Sequence, residues 1–139
     1  MKKFKLTATV FAVLVTALIN LSSCEKDEGK LPNIAFKTGA GYTSANATVA
    51  ASDSVTVGII ASKSEGEDVL KKLNISKTIG TGTVTTYLNY DIPSAQEDNF
   101  SADYKLPAGG NAGEQVKWTF TVTNRDGLTN AVSFTVTVY

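Results

Sequence analysis

Few side chains in this sequence are equipped for chemistry, and their types exclude more than they suggest. Among 139 residues there is one cysteine, Cys24, and no histidine. A lone cysteine forms neither an internal disulfide nor a cysteine-based zinc site. The missing imidazole removes the side chain most used for proton transfer near neutral pH and the commonest metal ligand. Hydroxyl, carboxyl, amine and phenol groups remain, so a carboxylate pair for a small hydrolase is formally available. No nucleophile elbow, phosphate-binding loop or metal-ligand spacing accompanies them. Asp126 beside Gly127, with Asp91 and Asp98 in other loops, offers oxygen ligands of the kind calcium takes. They lack the D-x-D-x-D-G spacing, and turn chemistry accounts for them. The expectation is a protein without a catalytic residue, a bound cofactor or a metal site.

What is left is contact chemistry. Tyr42 in a glycine-rich loop and Tyr87 on a threonine-rich strand are the rings expected at the surface, where they can stack on a sugar or a partner side chain. Trp118 alternates with Val116, Phe120 and Val122 and is expected in the core instead. Asp53-Ser54-Val55 resembles the short Asp-Ser/Thr-aliphatic motif for O-glycosylation in Bacteroidetes-type exported proteins, which implies a modified Ser54.

The amino-terminal segment determines where these residues work. Residues 1–5 carry Lys2, Lys3 and Lys5, and residues 6–19 are an uncharged, largely apolar run interrupted by Thr7, Thr9 and Thr16. That run is too short for a comfortable membrane span of about 20 residues and reads as a signal peptide. At its end, Leu21-Ser22-Ser23-Cys24 resembles the lipobox of bacterial lipoproteins. The resemblance implies removal of residues 1–23 and a covalent lipid on Cys24. Each buried CH₂ of the acyl chains contributes about 0.8 kcal/mol, so two or three chains hold effectively permanently. The next residues, Glu25-Lys26-Asp27-Glu28, are similar to the export signal of Bacteroidetes-type surface lipoproteins: after the cysteine, any residue, a lysine and two acids. By that resemblance Lys26, Asp27 and Glu28 send the protein across the outer membrane to face the medium. The alternative is a charged tether on a periplasm-facing lipoprotein. Residues 24–32 form the lipidated tether, with Pro32 marking the start of the body.

Removing residues 1–23 takes away three lysines and no acid, leaving ten basic and thirteen acidic side chains and a net charge of −3. With Arg125 as the only arginine there is no stripe of cations for phosphate, and nucleic acid is excluded as a partner.

From residue 33 the hydrophobic pattern has period two. Ile34 and Phe36 mark a short strand, and residues 46–50 a short edge segment. In residues 54–61, Val55, Val57, Ile59 and Ala61 face one way. Ser64 and Glu67 match a capping box, but Gly66 lies inside it, so residues 62–67 read as a loop before a strand over about residues 70–77, with Leu73 and Ile75 inward. Val84, Thr86, Leu88 and Tyr90 then alternate with Thr85, Tyr87 and Asn89, which turns Tyr87 away from Leu88 and Tyr90. A strand over residues 100–106 follows a loop. Residues 116–122 and 132–138 form a hairpin, with Gly127 at the position that needs positive φ.

About seven strands with turns every 8–15 residues indicate an all-β fold, an antiparallel β-sandwich over residues 33–139. The closing run WTFTVTNRDGLTNAVSFTVTV, residues 118–138, resembles the last two strands of bacterial immunoglobulin-like (Ig-like) and fibronectin type III-like domains. It lacks the cysteine pair of antibody domains. The combined expectation is a membrane-anchored, surface-exposed Ig-like lipoprotein of the outer membrane, a non-catalytic binding or adhesion module for a glycan or a protein. The alternatives are a structural component of an envelope protein complex, joined through a sheet edge, and a small hydrolase.

Overall fold

The computed structural model describes residues 29–139, so Cys24 and the Lys26, Asp27 and Glu28 signal lie outside the described residues. The body is all-β, and no α-helix occurs among the described residues. Its strands are β1 (Asn33–Phe36), β2 (Ala47–Val49), β3 (Ser54–Ser62), β4 (Leu70–Ile79), β5 (Thr85–Asp91), β6 (Asn99–Pro107), β7 (Gln115–Asn124) and β8 (Thr129–Val138). A short 3-10 turn, Ser94–Gln96, joins β5 to β6. Eight strands are thus described, one more than the rhythm of turns suggests, because the short segment after Asn46 does pair.

The strands form two sheets: a three-stranded one in the order β1-β3-β6 and a five-stranded one in the order β2-β8-β7-β4-β5. Alternation decides which side chains meet between them. Val55, Val57, Ile59 and Ala61 of β3 join Phe100 and Leu106 of β6 in one apolar cluster. Leu73 and Ile75 of β4, Val116, Trp118, Phe120 and Val122 of β7, and Phe134, Val136 and Val138 of β8 complete it. Phe36 of β1 closes this cluster on one side, its ring edge-on to Phe120 at 5.6 Å and to Phe134 at 5.7 Å.

The β7–β8 hairpin follows the sequence reading. Its register runs from Gln115↔Thr137 to Thr123↔Thr129, and Gly127 takes φ 82° in the connecting turn. Residues 63–69 form a loop rather than a capped helix: the Ser64 hydroxyl donates 2.5 Å to the Leu31 carbonyl and is used there.

Three expectations are corrected. The sheets are not wholly antiparallel, since β2 pairs parallel with β8, from Ala47↔Val136 to Val49↔Val138. A pairing across almost ninety residues of sequence leaves no local mark on the pattern. Val84 does not belong to the alternating strand but stands exposed before it. The third correction concerns Tyr87. β4 and β5 pair Ile75↔Leu88 and then Ser76↔Thr86, so Tyr87 is an extra residue on β5, a β-bulge. The bulge shifts the alternation by one, and Tyr87 comes to the same side as Leu88 and Tyr90 instead of the opposite one.

Candidate functional site

The five-stranded sheet is wider than its partner, and the mismatch leaves one side of the molecule open. β5 and β6 are each the last strand of their sheet. Their core-facing residues meet across the gap: Tyr90 lies tilted on Phe100 with centroids 5.8 Å apart, and Tyr104 lies tilted on Phe120 at 6.2 Å. Tyr87, turned inward by the bulge, stands perpendicular to the Trp118 indole at 5.1 Å. Each of the three tyrosines therefore leans on a buried ring. They are not themselves buried, Tyr87 being 47% exposed and Tyr90 38%. None of their hydroxyls has a hydrogen-bond partner among the described residues. Burial, and then the neighbouring Tyr90 phenol, raise the Tyr104 hydroxyl above the ordinary phenol range.

The electrostatic character of this side follows from register. The inward residues of β5 are Thr85, Tyr87, Leu88 and Tyr90, and those of β6 are Phe100, Ala102, Tyr104 and Leu106; none carries a charge. Asp91, Asp103 and Lys105 project from the outer faces. Among the described residues one cation borders the site: Lys77, paired between Thr85 and Trp118, extends its ammonium to the Gly109 carbonyl at 3.4 Å. Gly109, at φ 88°, packs so close to the indole that a Cβ there would lie 3.1 Å from Trp118 Cζ2. Trp118 is wholly buried, as its alternation predicts, and its Nε1 has no acceptor in the protein.

The two tyrosines singled out by sequence are not brought together. Tyr42 lies over the outer face of the three-stranded sheet, where its hydroxyl donates 3.0 Å to Asp103, which also receives Lys37 Nζ at 2.6 Å. All three side chains cover Gly58. A Cβ there would stand 2.5 Å from Lys37 Cδ, 2.8 Å from Tyr42 Cε1 and 2.9 Å from Asp103 Oδ1. The hydrogen bond from Lys37, followed by that from Tyr42, holds the Asp103 carboxyl below its ordinary value. The hydrogen bonds to Asp103 likewise raise Lys37 and Tyr42. This cluster fastens the loop after β1 to β6 across Gly58 of β3 and engages the Tyr42 hydroxyl that a ligand would need.

Ser54 is exposed at the start of β3. Asp98 pairs with Lys63 at 2.7 Å and Asp126 with Arg125 at 3.7 Å. Among the described residues no group of three or more His, Cys, Asp or Glu side chains is placed to hold a metal ion.

Two further surfaces lie outside the tyrosine side. A shallow groove of about 580 Å³ crosses the outer face of the three-stranded sheet, lined by Asn33, Ile60, Ser62, Asn99 and Ser101 among others. The outer face of the five-stranded sheet is a field of hydroxyls and amides, with Ser133, Thr119, Ser76 and Thr86 in one row and Thr121, Asn74 and Asn89 in the next. The outer face of the five-stranded sheet presents hydroxyls and amides in these rows, and the groove on the three-stranded sheet is bordered by Phe100, whose ring packs in the core.

The segment leading into β1 is fastened to the body. The Lys30 carbonyl accepts from Asn124 Nδ2 at 3.3 Å, the Leu31 carbonyl from Ser64, and the Pro32 carbonyl from Asn130 Nδ2 at 2.9 Å. Asn124 also donates 2.6 Å to the buried Asp68 carboxylate and accepts the Leu128 N–H at 2.7 Å. Together these features define an all-β body held at its amino-terminal pole, with a tyrosine-lined side left uncovered. Compared with protein-family models and with curated proteins, the sequence matches none.

Proposed function

We propose that the chain is a membrane-anchored lipoprotein of the Bacteroidetes surface type, with an Ig-like β-sandwich body that acts as a non-catalytic binding or adhesion module for a glycan or a protein. The observation that carries this reading is the grip on three consecutive carbonyls, Lys30, Leu31 and Pro32, by Asn124, Ser64 and Asn130. The fastened part of the chain thus begins six residues after Cys24. Six residues reach at most roughly 22 Å at about 3.3–3.6 Å each. A body tied so short stands on the bilayer by one pole and presents its flanks, including the tyrosine side, to whatever lies beyond the membrane.

Protease digestion of intact cells tests the reading. The wild-type chain is expected to be cut, and a chain carrying Lys26→Ala, Asp27→Ala and Glu28→Ala together to be protected while remaining in the membrane fraction. Cys24→Ala is expected to release the protein from membranes. Protection of the wild type assigns it to the periplasmic face and refutes the surface assignment.

The second reading, assembly with another envelope protein through a sheet edge, draws on β6, whose nine residues Asn99–Pro107 pair on one side only. A partner that co-purifies with the wild type and is lost on substitution along β6 favours it.

A further inference from the structure

We propose that the open side between β5 and β6 is the ligand-binding surface of this module, and that it takes an oligosaccharide on Tyr87, Tyr90 and Tyr104. This deepens the binding-module reading and rests on it. The first ground is pre-organisation. Each ring already leans on a buried aromatic, Trp118, Phe100 and Phe120 respectively, so ordering it against a ligand costs little. The second is the polar inventory. Three phenol hydroxyls have no partner among the described residues. A ligand with flat C–H faces and a periphery of hydroxyl and ring oxygens answers both features. Tyr87 and Tyr90 stand three positions apart on β5 and Tyr104 on β6, an array of rings wider than one sugar ring.

Charge and backbone argue against other occupants. The inward faces of β5 and β6 carry no ionised side chain to pair with a charged peptide, and the single bordering cation, Lys77, is too little for a polyanion. A peptide adding to β5 as a further strand would meet the bulge at Tyr87, which interrupts the regular row of N–H and C=O groups.

Trp118 is the only tryptophan, so its emission reports on the site directly. The full chain, purified in detergent, is titrated with soluble tetrasaccharides of glucose, mannose and galactose, and with tetragalacturonate. A saturable emission change is expected with at least one of them. Tyr90→Ala and Tyr104→Ala, each shown to be folded by circular dichroism, should weaken it about tenfold, the loss expected for one aromatic contact. Tyr90→Phe, which keeps the ring but loses the hydroxyl, should weaken binding less than Tyr90→Ala. No response to any of the four sugars overturns the proposal, as does binding that the tyrosine variants leave unchanged. A response to a proline-rich peptide in place of the sugars also overturns it, while preserving the binding-module reading. Cell-surface location has no influence on this titration, so failure of either reading is recognised separately.

Discussion

Asn124→Ala separates the fastening of the amino-terminal pole from the rest of the fold. The side chain is buried with Asp68 and makes three contacts: to the Asp68 carboxylate at 2.6 Å, to the Lys30 carbonyl at 3.3 Å and from the Leu128 N–H at 2.7 Å. A hydrogen bond to a charged group contributes about 1.5–3 kcal/mol and a neutral one about 0.5–1.5 kcal/mol. Removing the amide leaves Asp68 with the Val69 N–H at 2.8 Å as its remaining partner. The loss works out at about 3 kcal/mol, toward the lower end of what breaking a buried charged pair costs. In urea denaturation with a slope of about 1.5 kcal/mol/M, the midpoint falls by about 2 M. Asp68→Ala in the Asn124→Ala background should add less than its own single cost, because the contact is already gone, with a coupling of at least about 1 kcal/mol. A loss below about 1 kcal/mol for Asn124→Ala, or strict additivity in the double variant, refutes the reasoning.

Two further outcomes are expected from the cluster over Gly58. Gly58→Ala places a methyl group where Lys37, Tyr42 and Asp103 converge, and should cost about 1–3 kcal/mol by displacing them, read as a lowered urea midpoint; an unchanged midpoint contradicts the close approach. The pH dependence has a definite sign. Asp103 is lowered from 3.8, so the stability it lends is complete above about pH 3.8 and is lost as pH falls through its depressed value. Lys37 and Tyr42 are raised from 10.5 and 10.0, so their contributions persist until pH climbs past those values. Tyr42 ring resonances in NMR should therefore hold their shifts across the neutral range and move only in strong acid or strong alkali. Movement between about pH 5 and 7 speaks against the cluster.

What was legible in the sequence follows the range of the forces that set it. The β7–β8 hairpin is local: alternating Val116, Trp118, Phe120 and Val122, a turn around Gly127, and the answering Phe134, Val136 and Val138 define it without reference to the rest of the chain. The inward sets of β3 and β4 are equally plain. The parallel pairing of β2 is not, because its partner β8 lies at the other end of the chain. The sequence places Tyr87 at the surface but on the wrong face, since a one-residue bulge exists only in the register between two strands. Tyr90 and Tyr104 carry no sign in their own segments of belonging to a site. They become one because five strands face three and the last strand of each sheet is left uncovered. Tyr42, conversely, has the right local setting and loses its free hydroxyl to Asp103, sixty-one positions away.

The fastened carbonyls also decide how this body meets force. A pull on residue 29 first reaches the hydrogen bonds from Asn124, Ser64 and Asn130 and then enters β1 along its own axis. β1 runs antiparallel to β3 from Asn33↔Ser62 to Phe36↔Ile59, so its ladder is strained in shear, all rungs together, rather than unzipped from one end. Tension applied there is thereby shared at the outset between both sheets, since Asn124 and Asn130 belong to the hairpin of one and β1 to the other. A pole built this way resists being peeled away strand by strand, and yields as a unit when it yields.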